Sequence, residues 1–309
     1  MAEERKSGKS RARSQSDARR GIQDENFLDF QIDVASDAVN RLWKNSKKLN
    51  KPKGKGKGKG KGKGKAGKAV HDMRIAFRRW YSVWNILSRE GFESKSFKKK
   101  IGADLKKAYK LLGAVRDWDV NLNTGKEYGV PEQVLAKWQH ERNRVEEETS
   151  AGVERLNLPQ IIRKLSKYLK ARSAKLRRRY AHDGRYNLRP REAVEAYLIE
   201  TEVRTRDLAL QAGTLEELHA LRLSIKAWRY ILVEFFGYSS APLVEAQGLL
   251  GQINDLERVR ILLEAADEPM VGRTMDNIVG KQQELISSLD QIKLTLPFGL
   301  RPAETVSND

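Results

Sequence analysis

The chain has 309 residues, of which 39% are hydrophobic and 33% are charged, and its formal net charge at pH 7 is +19. It has no cysteine, which excludes disulfide bonds and thiolate metal sites, and no apolar run of about 18 residues, so no membrane span is expected. Residues 51–68 contribute +9 and residues 1–20 contribute +4, leaving only +6 elsewhere, so a binding site in the folded body must come from clustered charges.

The N-terminal segment is rich in Lys, Arg, Ser and Gly. Residues 1–20 offer nothing that could anchor a core, which predicts a disordered basic tail. No apolar stretch follows the basic residues, so we expect no secretory signal and a cytoplasmic location.

Two contrasting segments follow the tail. Apolar residues recur at three- and four-residue steps from Ile22 to about Leu49, which predicts a helix that Pro52 ends. Residues 50–68 alternate Lys with Gly over most of their length. Glycine at every second position disfavours both helix and strand, and the lysines repel one another, so a flexible cationic loop is predicted here.

The rest of the chain shows helical periodicity. Helices are predicted at about 69–90, 95–123, 131–156, 160–182, 191–211, 215–237, 242–267 and 269–294. Thr214 and Glu217 match a capping box at the start of one of them. No alternation of period two appears, which predicts an all-α fold of helical-bundle type. Its first helical half is predicted at 21–156, its second at 157–296 and a C-terminal tail at 297–309.

One helical segment occurs twice, at 70–81 and at 218–229. Each copy contains His, then Arg three residues later, a basic residue four further on and Trp two after that. At about 100° per residue, His71, Arg74 and Arg78 fall within roughly 60° of one another on a helix. Repetition of cationic positions indicates an anion-binding site built from two related halves, whereas a solvated helix face is the simpler alternative.

The opposite faces of both helices are apolar. Trp80 and Trp228 lie opposite the basic residues, which predicts that they pack in the core rather than stack on nucleic-acid bases.

A second repeated motif follows each copy. The first is Leu112-Gly113-x-x-Arg116-Asp117-x-Asp119 and the second is Leu250-Gly251-x-x-Asn254-Asp255. Lys99, Lys106 and Lys110 share the stripe of Gly113, but Val244 and Gly248 take the places of Lys106 and Lys110 in the second half. The two halves are therefore related but unequally charged.

Together these motifs resemble the CHAD domain (conserved histidine α-helical domain) family, over about residues 22–294. The resemblance implies one compact domain of two four-helix bundle halves related by a pseudo-two-fold axis. It also implies a non-catalytic module that binds inorganic polyphosphate with basic residues lining a central groove or pore. Members are often fused to a triphosphate tunnel domain, whose Glu-x-Glu-x-Lys motif is absent here.

The predicted polyphosphate site combines both basic strips with a third wall of lysines. Polyphosphate carries about one negative charge per phosphoryl unit and no bases, so Arg forks, Lys point charges and protonated His suit it. The predicted residues are His71, Arg74, Arg78, Arg79, Lys99, Lys106, Lys110, His219, Arg222, Lys226, Arg229 and Tyr230. Tyr230 is expected to donate one neutral hydrogen bond, and Arg79 points about 100° away from Arg78.

Acidic residues adjoin this proposed site. Asp117, Asp119 and Asp255 are interpreted as structural partners that hold arginines of neighbouring helices, with Mg²⁺ or Ca²⁺ ligation as the alternative. Gly113 and Gly251 are expected to permit close helix approach. No metal site, cofactor or nucleophile with an adjacent base is predicted, so the chain is expected not to be an enzyme.

Two other functions compete with polyphosphate binding. Nucleic-acid binding would use the tail and the Lys-Gly loop, and a polyphosphate-using phosphohydrolase or kinase is disfavoured because no metal–carboxylate constellation appears. Polyphosphate granules and polyphosphate-metabolising proteins are further expected partners. No association with a membrane is expected.

Overall fold

The computed structural model describes residues 27–49, 61–181, 189–266 and 271–299. The tail at 1–20, loop residues 50–60 and the C-terminal residues 300–309 lie outside these ranges, so the predictions made for them remain predictions. In the described ranges the helices are α1 (Phe27–Leu49), α2 (Lys61–Arg89), α3 (Lys95–Phe97), α4 (Ala103–Glu127), α5 (Glu132–Leu156), α6 (Leu158–Ala181), α7 (Arg189–Gln211), α8 (Leu215–Phe236), α9 (Ala241–Glu264) and α10 (Gly272–Lys293). A π-helical turn at Lys98–Gly102 joins α3 to α4. The described ranges contain no strand, and the all-α prediction is confirmed.

Helix α8 begins at the predicted capping box. The Thr214 side chain accepts a hydrogen bond from the Glu217 backbone N–H, and the Glu217 carboxylate accepts one from the Thr214 backbone N–H. The helix ends at Gly237, whose φ of 62° is a left-handed conformation that glycine adopts without steric cost. Local sequence signals therefore set both ends of this helix.

The N-terminal end of α2 corrects one prediction. The helix begins at Lys61, so residues 61–68 are helical and are not part of a flexible loop. Each glycine inside a helix costs only about 1 kcal/mol, and extending an existing helix avoids the cost of nucleation. The amphipathic segment from Val70 onward supplies that existing helix.

The order of helix packing repeats along the chain. Helix α2 packs against α1 and α4, and α4 packs against α5; in the same way α8 packs against α7 and α9, and α9 against α10. The two sets meet where α2 contacts α8 and where α4 contacts α9. These are the four helices that carry the repeated motifs, so the motifs face one another across the junction. Helix α6 is the first helix of the predicted second half, 157–296, and it packs against α1 of the first half.

Large aromatic side chains anchor the motif helices in the core. Trp80 and Trp228 are 0% and 1% exposed, and the rings of Trp80 and Trp84 stack with centroids 5.1 Å apart. The prediction of core packing for both tryptophans is confirmed. The apolar faces of α2 and α8 are therefore turned into the bundle, and their basic faces lie on the opposite sides of these helices.

A buried carboxylate ties three helices together. Glu234 of α8 is only 4% exposed at its side chain, and its Oε2 accepts a hydrogen bond of 2.7 Å from Arg41 of α1. Its Oε1 lies 3.5 Å from Nε of Arg79 of α2. Arg79 therefore belongs to this inter-helix ion cluster.

We expect Glu234→Ala to lower the free energy of unfolding by about 3 kcal/mol, because it leaves two cations without their buried partner. Chemical denaturation measures the change. Glu200→Ala is the matched control: it breaks the exposed pair with Arg89, whose atoms are 2.6 Å apart, and should cost less than about 1 kcal/mol. Equal effects of the two substitutions would contradict a structural role for Glu234.

Candidate anion-binding site

The guanidinium of Arg74 is packed between α2 and α4. Its side chain is 12% exposed and lies over the Tyr109 ring, 5.2 Å from the ring centroid. A Cβ atom at position 113 would lie 2.5 Å from Nη1 of Arg74, so a side chain there would displace this guanidinium from its present position. Gly113 thus permits the close approach of an arginine, whereas a Cβ at Gly251 would meet nothing within 4 Å among the described residues, and the close approach expected there is not found.

The basic strip of α8 meets that of α2. Burial, followed by the positive charges of Arg222, Arg78 and Arg74 in that order, lowers the pKa of Lys226 to about 7. Burial also lowers the pKa of Arg222, and Arg78 again acts on it. Arginines of α2 therefore lie close enough to α8 to repel its positive side chains. This proximity is what an anion site built from the two repeated helices requires.

Two carboxylates lie among these cations. Asp117 Oδ1 is 3.0 Å from Nη1 of Arg258 on α9 and 4.0 Å from Nη2 of Arg74 on α2. Burial raises the pKa of Asp255, although Arg222 and Arg258 lower it. Asp117 holds arginines of neighbouring helices, as predicted.

Asp119 has the same structural role away from the junction. Its Oδ1 accepts a hydrogen bond of 3.0 Å from Nε of Arg142 on α5, which also pairs with Glu146. Among the described residues, no three His, Asp or Glu side chains are arranged to hold a metal ion.

Positive charge dominates the junction. We call the following residues the cationic cluster: Arg74, Arg78, Arg116, Arg222, Lys226, Arg229 and Arg258. Asp117 attracts Arg74, and Asp255 and Asp117 both attract Arg222. Nε of Arg74 and Nε of Arg78 are also buried without a hydrogen-bond acceptor among the described residues. Buried donors and unbalanced cations are costly unless an anion meets them, so the cluster has the chemistry of an anion site.

The two motif histidines have different surroundings. Burial lowers the pKa of His71, and the charges of Arg116 and Arg78 lower it further, while Asp72 opposes them. The neighbouring cations therefore favour the neutral imidazole, and only an anion would favour the protonated form predicted from the sequence. His219 is exposed, and its Nδ1 lies 2.8 Å from Oδ1 of Asn254, the residue that stands where the first half has Arg116.

Four predicted residues have other contacts or positions. Arg79 pairs with Glu234, as described above. Arg229 donates from Nε to Oε1 of Gln247 at 2.9 Å, and its guanidinium lies over the ring of Tyr230, 5.1 Å from the centroid. Tyr230 is 6% exposed, so its side chain packs mainly in the core. Lys99 lies exposed in the π-helical turn.

The other two lysines of the predicted third wall remain on the exposed face of α4. Lys110 and Lys106 precede Gly113 by about one and two helical turns, so they extend the stripe that Gly113 begins.

Two arginines of the cluster were missed by sequence reasoning. The second repeated motif contains Arg116 but does not by itself place it in the site, and no motif contains Arg258. Arg258 lies three residues after Asp255 and four after Asn254, the spacing of neighbours on one helix face, so this spacing could have revealed it.

The comparisons with known proteins agree with this architecture. The CHAD domain model matches residues 61–264. The crystal structure of the CHAD domain from the plant Ricinus communis superposes with a TM-score of 0.53, at 19% identity, over 89% of this chain and 92% of that one. No curated protein sequence matches the chain. None of the helices in the described ranges combines the length and apolar character of a membrane span. A match to well over half of the chain, with the fold of a solved member, shows that the chain belongs to the CHAD domain family.

Proposed function

We propose that this protein is a non-catalytic binding module for inorganic polyphosphate. The observation that carries the proposal is the cationic cluster, in which arginines of α2 approach Arg222 and Lys226 of α8 with too few carboxylates to balance them. A linear phosphate chain offers many charges along a track and meets several such cations at once.

The type of side chain favours phosphate over nucleobases. The guanidinium groups of Arg74 and Arg78 suit phosphate oxygens, because an arginine fork binds two oxygens of one group. Trp80 and Trp228 are in the core, so they cannot serve as stacking platforms for bases. The site is therefore suited to recognising the charge of phosphate groups and not the base sequence of a nucleic acid.

The proposal that the module does not catalyse rests on how its carboxylates are used. Asp117 is engaged by Arg258, and Asp119 is engaged by Arg142. Carboxylates held by arginines are poorly suited to binding the divalent ions that phosphoryl transfer normally requires. Incubation with polyphosphate and Mg²⁺ or Mn²⁺ should release no orthophosphate, and sustained release would overturn this part of the proposal. Cytoplasmic polyphosphate granules and polyphosphate-metabolising proteins are the natural partners of such a module.

A second candidate function, nucleic-acid binding, is favoured by helix α6. This helix has nine Lys or Arg and no Asp or Glu, and eight of the nine are exposed. Such a face can contact the phosphates of a nucleic acid without reading bases. This surface differs from the cationic cluster, so the two functions can be separated by mutation.

Calorimetry with long-chain polyphosphate, pyrophosphate and single-stranded DNA at two salt concentrations tests both candidates. We expect polyphosphate to bind most tightly, with an affinity that falls as salt rises. Neutralising α6 with Lys164→Gln, Lys167→Gln and Lys170→Gln should leave polyphosphate affinity within about twofold, because exposed charges are largely screened. If DNA binds more tightly than polyphosphate and this triple variant abolishes that binding, nucleic acid is the ligand.

A further inference from the structure

A cavity of about 290 Å³ adjoins the cationic cluster, between the N-terminal part of α8 and α9. Its walls are largely apolar and include Leu218, Leu250, Ile253 and Ile261. An apolar cavity with a few polar groups at its edge is the usual form of a small-molecule site. Inorganic polyphosphate has no apolar part that could use these walls.

Arg258 connects this cavity to the cluster. Its side chain lines the cavity, and its Nη1 is 3.0 Å from Asp117 Oδ1, the carboxylate that also approaches Arg74. A phosphate held by Arg258 would therefore lie at the boundary between cationic and apolar surroundings. The next group of the same ligand would enter the cavity.

Acidic side chains disfavour a further phosphate at that position. Glu216 and Glu257 both line the cavity, and Glu257 is engaged by hydrogen bonds from Arg260, which lower its pKa, so Glu216 is the carboxylate that can accept hydrogen bonds from a ligand. Carboxylates repel phosphate but accept hydrogen bonds from hydroxyl and amino groups. The cavity thus favours an uncharged group that carries such donors.

His219 adds an aromatic surface to the cavity. Its ring lines the cavity and is held by Asn254 through the 2.8 Å contact of Nδ1 with Oδ1. Apolar walls and an aromatic ring suit a planar base better than they suit a polyol, and the Glu216 carboxylate suits a ribose hydroxyl or an exocyclic amine.

We propose that this cavity receives the nucleoside of a nucleoside triphosphate whose phosphates bind the cationic cluster. The inference rests on the proposed function, because the phosphates use the same cations. It differs in assigning His219 and Asn254 to the organic end of a ligand rather than to a phosphate chain.

Calorimetry without divalent ions tests the inference by comparing ATP with tripolyphosphate. Tripolyphosphate has the same number of phosphoryl groups and more negative charge, so charge alone predicts that it binds more tightly. We expect the reverse, with ATP bound about tenfold more tightly. Ile261→Gln should weaken the affinity for ATP about fivefold, because the substitution removes the apolar contact of Ile261 with the base. Ile261 is 51% exposed, so the fold should tolerate the change, and the affinity for tripolyphosphate should stay unchanged.

Ile199→Gln is the matched control, since Ile199 is 42% exposed on α7 and does not line the cavity. It should change neither affinity. ATP bound no more tightly than tripolyphosphate, or not bound at all, overturns the nucleoside assignment and leaves polyphosphate binding standing. Failure of long-chain polyphosphate to bind as well overturns the proposed function itself.

Discussion

Replacing both Arg74 and Arg222 with Ala is expected to weaken binding of long-chain polyphosphate at least tenfold. Both guanidiniums lie at the junction, and burial lowers the pKa of each. A charge-assisted hydrogen bond contributes about 1.5–3 kcal/mol, so losing one from each half exceeds the roughly 1.4 kcal/mol that corresponds to tenfold. Calorimetry or fluorescence titration at fixed salt measures the loss.

A control variant separates a local effect from loss of bulk charge. Arg144→Ala with Arg191→Ala also removes two positive charges, but these arginines pair with acids on their own helices, Glu148 and Glu195. This variant should bind polyphosphate within about twofold of the unmodified protein, because exposed charges are largely screened.

The Lys-Gly segment provides the opposing test. Because α2 begins at Lys61, the variant should change the five lysines between residues 51 and 60 to Ser and leave the helix intact. We expect a smaller loss of affinity than in the double arginine variant. If the lysine variant abolishes binding and the double arginine variant does not, the site assignment is wrong.

The double arginine variant should also be more stable than the unmodified protein when no anion is present. Arg222 and Arg74 both act on Lys226 as repulsive neighbours, so their removal relieves unfavourable electrostatics in the folded state. Thermal unfolding at low salt should show a higher midpoint. A lower midpoint together with lost binding would indicate damage to the fold rather than to the site.

Polyphosphate binding at pH 8 is expected to take up close to one proton per site. The pKa of Lys226 is about 7, so its amine is mostly neutral at pH 8. Phosphate oxygens beside it would raise that pKa toward the ordinary lysine value of about 10.4 and protonate it on binding. Titration calorimetry in two buffers with different ionisation enthalpies measures the number of protons taken up.

Two substitutions identify the group that takes up the proton. Lys226→Arg should keep the affinity within a few-fold and abolish the uptake at pH 8, because arginine stays protonated throughout. Lys226→Met should abolish the uptake and also weaken binding. Undiminished proton uptake in Lys226→Arg would place the proton on another group.

The same pKa makes stability depend on pH in a defined direction. Lys226 has a lower pKa in the folded than in the unfolded chain, so the unfolded state binds more protons between about pH 7 and pH 10. The free energy of unfolding should therefore rise with pH across this window, by at most about 1.4 kcal/mol per pH unit from this residue. The rise should be smaller in Lys226→Met, and denaturation at pH 7 and pH 9 compares the two proteins.

Much of the fold could be predicted from local patterns. Apolar residues at three- and four-residue steps placed the helices, and Thr214 with Glu217 placed the start of α8. The repeated segments also carry the resemblance to the CHAD domain family, which the family match confirms. The Lys-Gly segment was misjudged at 61–68 because composition describes a segment alone, whereas an adjoining helix can extend into it.

The candidate site could be predicted only in part. The helical angle placed His71, Arg74 and Arg78 on one face of α2, and the structure brings Arg78 near Arg222 and Lys226. The same angle could not reveal that Arg79 pairs with Glu234, since Glu234 lies on α8, far away in the sequence.

The sequence by itself determined the helices, their apolar and basic faces and the family, because these depend on the spacing of residues within one segment. Only the tertiary structure decided which cations share one junction, including Arg258, and that an apolar cavity adjoins them. The physical reason is that a helix's own periodicity sets the direction of each side chain, while the neighbour it meets depends on how separate helices pack.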